Sequence, residues 1–281
     1  MTTREILSIS TGRATSDGAG VSLTRLFGGV APERFDPFLM LDEFGSDNPD
    51  EYIAGFPAHP HRGFETITYM LEGRMRHEDH LGNVGLLESG GVQWMTAARG
   101  VIHSEMPQQE HGLMRGFQLW LNLPAKNKLD DPSYRDFSPA EIPRITLPNG
   151  IEAVVVAGQL CAEGITQAGA VRRPNTEPQF FDLRLPAGTG LSPQLSDGLR
   201  VILYVFEGEL LVGGQRLGKN QLARLSDQGE LALSTSSGAC VLLLAGRPIG
   251  EPIVQYGPFV MNSREEIEQA LRDFRDGVFT D

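Results

Sequence analysis

The chain of 281 residues is long enough for two domains of ordinary size, and its 40% hydrophobic content is typical of a globular protein. Its formal net charge is −12, and no cluster of Lys and Arg offsets that charge locally, which excludes the basic surface needed to bind a phosphate backbone. The first seven residues lack the basic start and long apolar run of a secretory signal, and the longest apolar runs are only strand-sized. We therefore expect a cytoplasmic protein that binds neither nucleic acid nor a membrane.

Most of the predicted elements are β-strands, so the predicted fold class is all-β. In the first half, residues 65–71 and 116–123 alternate or run apolar over strand length and end at turn residues. In the second half, residues 151–157, 179–185 and 201–206 are rich in Val, Ile, Leu or aromatic side chains. The 33 glycines and 18 prolines indicate many short elements joined by tight turns.

A polar stretch with repeated prolines, residues 123–148, separates the two β-rich regions and has the composition of a linker. We therefore divide the chain into domains at 1–140 and 141–281. The pattern Tyr-apolar-apolar-Glu-Gly occurs at residues 69–73 and again at residues 204–208. Because the two copies lie nearly half the chain length apart, they favour a duplication of one β-unit.

The one predicted helix lies in the C-terminal tail, at residues 263–277. Ser263 is placed as its N-cap, and Glu266 completes a capping box. Gly277 follows as a stop signal. The apolar residues that recur at helical spacing are Ile267, Ala270, Leu271 and Phe274. This amphipathic helix must cover other apolar surface.

The two cysteines, Cys161 and Cys240, do not form a Cys-x-x-Cys pair. The sequence therefore predicts neither a disulfide framework nor a thiolate zinc site. We expect both side chains to be buried packing residues rather than reactive thiols.

Histidine is confined to the first predicted domain, and the six residues are His59, His61, His77, His80, His103 and His111. In two short segments, candidate ligands stand two positions apart, a spacing that places them on the same face of an extended strand. Two such pairs on neighbouring strands would supply three imidazoles and one carboxylate, from His59, His61, His103 and Glu105. We expect His77, His80 and His111 at the solvent surface or a pocket rim.

The three-imidazole and one-carboxylate set suits Fe(II), Mn(II), Ni(II), Cu(II) or Zn(II), and it excludes Mg(II) and Ca(II), which prefer all-oxygen ligands. With four protein ligands, an ion that prefers six-fold coordination keeps two positions open for substrate and dioxygen, whereas zinc tends to close at four. If the spacing continues beyond His61 without a bulge, the histidine face also carries Glu65, Ile67, Tyr69 and Leu71. Because three of these four are apolar, we expect that face to be the interior.

Three runs carry a family resemblance: Phe-Pro-Ala-His-Pro-His-Arg-Gly-Phe-Glu-Thr at 56–66, Gly-Val-Gln-Trp-Met-Thr-Ala at 91–97 and Gly-Val-Ile-His-Ser-Glu-Met at 100–106. Together they resemble the pirin family of the cupin superfamily, over the first domain and more loosely over the rest. The resemblance implies two tandem cupin barrels of the jelly-roll type and a C-terminal α-helix that packs back toward the first domain. It also implies one iron ion, as Fe(II), in the first barrel and none in the second. The family's ligand positions match His59, His61, His103 and Glu105.

Glu65 is a competing candidate. In many cupins the glutamate beyond the His-x-His pair is the fourth ligand, and Glu65 has that spacing, whereas in the pirin pattern the ligand is Glu105. We expect Glu65 to orient a histidine N–H rather than to bind the metal.

The resemblance implies an oxidoreductase of the quercetinase type, a metal-dependent dioxygenase that opens flavonols with O2. A flavonol hydroxyl would bind the ferrous ion and lose its proton to Glu105, the catalytic general base. The same family implies an alternative, a non-enzymatic regulator in which the iron or its redox state governs contact with a protein partner. An acidic surface permits a basic partner. A third interpretation, a vestigial site, predicts less than one equivalent of metal.

Overall fold

The computed structural model describes residues 3–29 and 31–280; the remaining four, which the domain ranges 1–140 and 141–281 include, lie outside the described residues: Met1, Thr2, Val30 and Asp281. The described chain forms two units. We call residues 13–140 and 249–281 the histidine unit, and residues 1–12 and 141–248 the aliphatic unit.

The described strands of the first half, in chain order, are β1 (Ile6–Thr11), β2 (Arg13–Asp17), β3 (Val21–Gly28), β4 (Phe38–Ser46), β5 (Phe56–His61), β6 (Phe64–Glu72), β7 (Arg74–Asp79), β8 (Val84–Glu88), β9 (Val92–Thr96), β10 (Val101–Pro107), β11 (Met114–Asn122) and β12 (Ser133–Phe137). Those of the second half are β13 (Arg144–Thr146), β14 (Glu152–Ala157), β15 (Gln159–Ala162), β16 (Ile165–Ala168), β17 (Gln179–Leu185), β18 (Gly190–Leu191), β19 (Arg200–Val212), β20 (Gln215–Gly218), β21 (Gln221–Leu225), β22 (Leu233–Ser234), β23 (Ala239–Gly246), β24 (Val254–Tyr256) and β25 (Phe259–Met261). Short 3-10 turns cover Pro32–Arg34, Pro49–Glu51 and Ala125–Asn127, and the helix α1 covers Arg264–Asp276.

Two antiparallel sheets build the main body of the histidine unit. One has the strand order β12-β9-β6-β11-β4-β3-β2, and the other has the order β5-β10-β7-β8. In the larger sheet Gln118 of β11 lies between Asp42 of β4 and Thr68 of β6. This register places three polar side chains in one row across the sheet.

A large cluster of buried hydrophobic side chains forms the core of the aliphatic unit. Its main sheet runs β1-β21-β19-β23-β17-β14-β13. Along the long strand β19, the alternate residues Val201, Leu203 and Val205 enter this core. The sequence contains no histidine beyond residue 111, so this core offers no imidazole ligand.

The expectation that both cysteines are buried is wrong. Cys161 and Cys240 are free thiols of intermediate exposure. In the β15–β16 hairpin, Leu160 and Ala162 point inward, so strand alternation turns Cys161 outward.

The predicted C-terminal helix is confirmed. Ser263 Oγ accepts from the Glu266 N–H at 3.2 Å, and the Glu266 carboxylate accepts from the Ser263 N–H at 2.9 Å, which completes the capping box. Gly277 ends the helix at φ +76°, a conformation that favours glycine. Of the apolar stripe, Ile267 and Ala270 are buried. No helix among the described residues is both long enough and apolar enough to span a membrane.

Both ends of the chain are grouped differently from the predicted domains 1–140 and 141–281. Residues up to 12 belong to the aliphatic unit, where β1 pairs with β21. Residues 249–281 belong to the histidine unit, where α1 and β25 form an apolar cluster against Ile102. These long-range pairings leave no local signal in the sequence.

Candidate metal centre

Two paired strands bring three predicted ligands together. His59 and His61 stand two positions apart on β5, and His103 of β10 lies directly opposite His59 in the antiparallel register. One nitrogen from each of these imidazoles lies within 4.8 Å of the others. This group of three histidines could hold a metal ion.

The nitrogen environments fit such an ion. His59 Nδ1 lies 2.8 Å from the Pro57 carbonyl oxygen, to which a neutral ring donates its N–H. The other nitrogen, Nε2, then carries a lone pair and lies 3.0 Å from His61 Nε2. His103 Nε2 is buried and has no hydrogen-bond partner among the described residues. A bound cation would satisfy both the lone pair on His59 Nε2 and the unpartnered nitrogen of His103.

Burial keeps the imidazoles of His61 and His103 neutral. The pKa values of these two residues lie well below the ordinary range, first because burial disfavours the charged ring and then because neighbouring rings repel its charge. Neutral imidazole is the form that binds metals, so both rings can bind an ion without first losing a positive charge.

Glu105, the fourth predicted ligand, is buried on the same face of β10 as His103 but is not one of the three grouped residues. Its Oε1 accepts from Thr68 Oγ1 at 3.1 Å, and its Oε2 accepts from Gln118 Nε2 at 3.0 Å. The Trp120 indole N–H donates to Gln118 Oε1 at 3.4 Å, which fixes the amide with its nitrogen toward Glu105. The carboxylate is therefore held across the interior by the larger sheet.

Glu65 lies elsewhere. Its Oε1 accepts from Trp94 Nε1 at 3.0 Å and from Thr96 Oγ1 at 2.6 Å. Both of these donors belong to the neighbouring strand β9, and Glu65 is not part of the histidine group.

The predicted alternation beyond His61 required an uninterrupted strand, and a turn interrupts it. β5 and β6 belong to different sheets, and the chain changes direction at Gly63, which has φ +92°. A side chain at Gly63 would overlap the Val260 carbonyl oxygen. As a result, Phe64 and Thr68 face the site instead of the odd-numbered residues: the Phe64 ring lies 5.1 Å from that of His61.

His77, expected at the surface, is buried beside the centre. Its Nδ1 lies 3.3 Å from His103 Nδ1, and its ring stacks on Tyr134 at 4.6 Å. A signal for this position was available, because β7 alternates Arg74 and Arg76 outward with Met75 and His77 inward. His80 and His111 are exposed, as predicted.

A cleft of about 720 Å³ opens on this centre. His59 and His61 line it together with Gln118, Phe56 and Trp120. Its volume is within the range of small-molecule sites, and its mixture of aromatic surface and a few polar groups is typical of them.

Antiparallel sheets that enclose three histidines able to hold a metal ion are the arrangement of a cupin-type protein. Residues 20–121 match the family model described as Pirin, and residues 180–280 match the one described as Pirin C-terminal cupin domain. The chain belongs to the pirin family, as the sequence motifs predicted.

Its relatives extend over nearly the whole chain. A Pseudomonas aeruginosa protein named as a candidate quercetin 2,3-dioxygenase is 65% identical, covering 98% of each chain. Rat pirin is 38% identical, covering 94% of this chain and 89% of its own. A crystal structure titled quercetin 2,3-dioxygenase from Acinetobacter baumannii superposes with a TM-score of 0.92 at 33% identity, covering 99% of each chain.

Proposed function

We propose that this protein is a dioxygenase of the quercetinase type, which uses one iron ion and O2 to open the ring of a flavonol. The observation that carries the proposal is the group of His59, His61 and His103 at a cleft large enough for a three-ring substrate. The names of two relatives, from P. aeruginosa and A. baumannii, support the same activity.

The residues that would hold the ion are the three histidines, with Glu105 as the proposed fourth ligand. Bound iron would supply Lewis acidity toward a substrate oxygen and electron transfer toward dioxygen. The side chains of this protein would position the substrate and accept its proton.

Glu105 is the proposed general base. Thr68 and Gln118 each donate one hydrogen bond to its carboxylate, which fixes its position. Each carboxylate oxygen keeps a further lone pair that can accept the hydroxyl proton of a substrate. Because the carboxylate is buried, that proton is not lost to bulk water.

The aromatic wall would position the substrate. Trp120 packs against Phe64 with 4.4 Å between ring centroids and meets the His61 ring edge-on at 5.3 Å. Trp120 lines the cleft, so a flat substrate ring can pack against its indole, which aligns the reacting oxygens with the histidines.

Oxygen consumption and loss of quercetin absorbance by iron-loaded protein test the proposal. Glu105→Gln keeps the shape of the side chain but removes the base, so kcat should fall by about 10²- to 10⁴-fold with iron still bound. The exposed His111→Ala is the matched control and should retain full activity. Failure of iron-loaded wild-type protein to consume oxygen with any flavonol, or full activity in Glu105→Gln, would contradict the proposal.

A further inference from the structure

The cleft wall carries two charged side chains that the proposed chemistry does not use. Asp17 at the end of β2 and Arg25 of β3 line the same cleft as His59 and His61. A ligand that reaches the histidines therefore shares its cavity with a fixed carboxylate and a fixed guanidinium.

Both side chains are held in place by other hydrogen bonds. Arg25 Nε and Nη2 donate to the two oxygens of buried Asp42, at 2.9 and 2.7 Å. Arg25 Nη2 also donates to Asp17 Oδ2 at 3.0 Å, and Asp17 Oδ1 accepts from the Gly18 N–H at 2.8 Å. Because the pair is already ordered, a ligand that binds it loses little additional side-chain entropy.

The pair offers one donor and one acceptor to a ligand. Arg25 Nη1 has no hydrogen-bond partner in the described chain, and the Asp17 side chain is 55% exposed. A single guanidinium faces two carboxylates here, those of Asp17 and Asp42, so the local charge is negative and disfavours an anion. A neutral hydroxyl group both donates and accepts, so it satisfies both partners.

The position of the pair suits the far end of an aromatic substrate. Arg25 pairs with Asp42, and Asp42 pairs with Gln118, which in turn contacts Glu105. Two strand spacings, ~10 Å, therefore separate the backbone of Arg25 from that of Gln118. This separation is comparable to the length of a flavonol between its reacting oxygens and the hydroxyls of its pendant ring.

We propose that Asp17 and Arg25 are specificity-determining residues that bind the hydroxyl groups at the end of the substrate remote from the histidines. They select neutral, hydroxylated aromatic rings over rings that lack hydroxyls or carry an anionic group. This inference rests on the proposed function, because it assumes that the cleft binds a flavonol.

Binding without turnover tests the pair directly. Iron-loaded protein is titrated without oxygen, and the affinity for quercetin is compared with that for galangin, which lacks only the pendant-ring hydroxyls, and for a quercetin with a sulfonate on that ring. Wild-type protein should bind quercetin roughly tenfold or more tightly than either analogue. Asp17→Ala should reduce the preference over galangin to less than threefold, and Asp17→Asn should weaken the discrimination against the sulfonate.

Asp131→Ala is the matched control, because Asp131 is also an exposed carboxylate paired with an arginine but does not line the cleft. It should keep the wild-type preferences. Equal affinities for all three ligands in the wild type, or an unchanged preference in folded Asp17→Ala, would overturn the inference. Because turnover is measured separately, oxygen consumption together with equal affinities sinks this inference alone, whereas absence of flavonol binding sinks the proposed function as well.

Discussion

Lys128 is a buried lysine whose amino group has three oxygen acceptors. Its Nζ donates to the Gly63 carbonyl oxygen and to Asn122 Oδ1, both at 2.6 Å, and to the Val260 carbonyl oxygen at 3.0 Å. Gly63 comes two residues after His61, and Val260 belongs to the C-terminal tail. This side chain therefore ties the tail to the turn beside the candidate metal centre.

Lys128→Met should destabilise the protein by about 2–4 kcal/mol, because buried acceptors lose their donor. Denaturant unfolding, monitored by tryptophan fluorescence, measures the difference. Lys126→Met, at an exposed neighbouring position, should change the free energy of unfolding by less than about 0.5 kcal/mol. Equal stabilities of the two variants would contradict this role.

The same residue predicts a pH dependence. Burial lowers the pKa of Lys128 from 10.5 to about 7. Between these values the unfolded chain binds a proton that the folded chain lacks, so this group makes the free energy of unfolding rise as pH increases from about 7 toward 10.5. Unfolding curves at pH 7 and pH 9 should show a larger gain in wild type than in Lys128→Met. An identical gain in both proteins would exclude the lowered pKa.

His77 is expected to set the orientation of His103. The hydrogen bond between their Nδ1 atoms leaves His103 Nε2 for the metal, so His77→Ala should weaken metal binding about 10- to 100-fold. Competition with a chromophoric chelator measures the affinity. His80→Ala, at an exposed position, is the control, and an unchanged affinity in folded His77→Ala would show that the contact does not position the ligand.

The helix α1 illustrates what local sequence can predict. Its capping residues, stop signal and apolar spacing all act within a few positions along the chain, and each is present in the structure. The inward and outward residues of a single strand could also be predicted from alternation, as in β7. The residues of β6 that face the site could not be predicted by counting from β5, because the chain passes into another sheet at the turn around Gly63.

Removal of the N-cap tests the contribution of α1. Ser263→Ala leaves the Glu266 N–H without its side-chain acceptor and should cost about 1 kcal/mol of stability. Glu268→Ala, which removes only an exposed 3.9 Å ion pair on the same helix, should cost much less. Thermal unfolding of the two variants decides between them, and indistinguishable midpoints would show that the cap does not stabilise the fold.

The C-terminal tail also forms an ion pair with Arg62, the residue that follows His61. Arg62 donates to Asp273 Oδ2 at 2.6 Å and to the Phe279 carbonyl oxygen at 2.8 Å. Such pairing joins residues more than 200 positions apart, and no spacing rule in the sequence predicts it. The motifs were sufficient to locate the histidines, but not the segments that hold them.

At the scale of the whole chain, composition predicted which of the two units contains the candidate metal centre. Histidine occurs in one unit alone, and the other unit has a large cluster of buried hydrophobic side chains. The sequence did not indicate that residues up to 12 belong to the aliphatic unit and residues 249–281 to the histidine unit, because this grouping depends on tertiary pairing. The central claim is therefore local to the histidine unit: three imidazoles from β5 and β10 bind one transition-metal ion.

Metal analysis of protein purified without added metal, followed by thermal unfolding with and without a chelator, tests that claim most directly. Wild-type protein should contain about one equivalent of a transition metal, and its removal should lower the unfolding midpoint, because an ion that binds only the folded state stabilises it. His103→Ala should contain little metal and show no further shift with chelator, whereas His111→Ala should match wild type. A full equivalent of metal in His103→Ala would contradict the account.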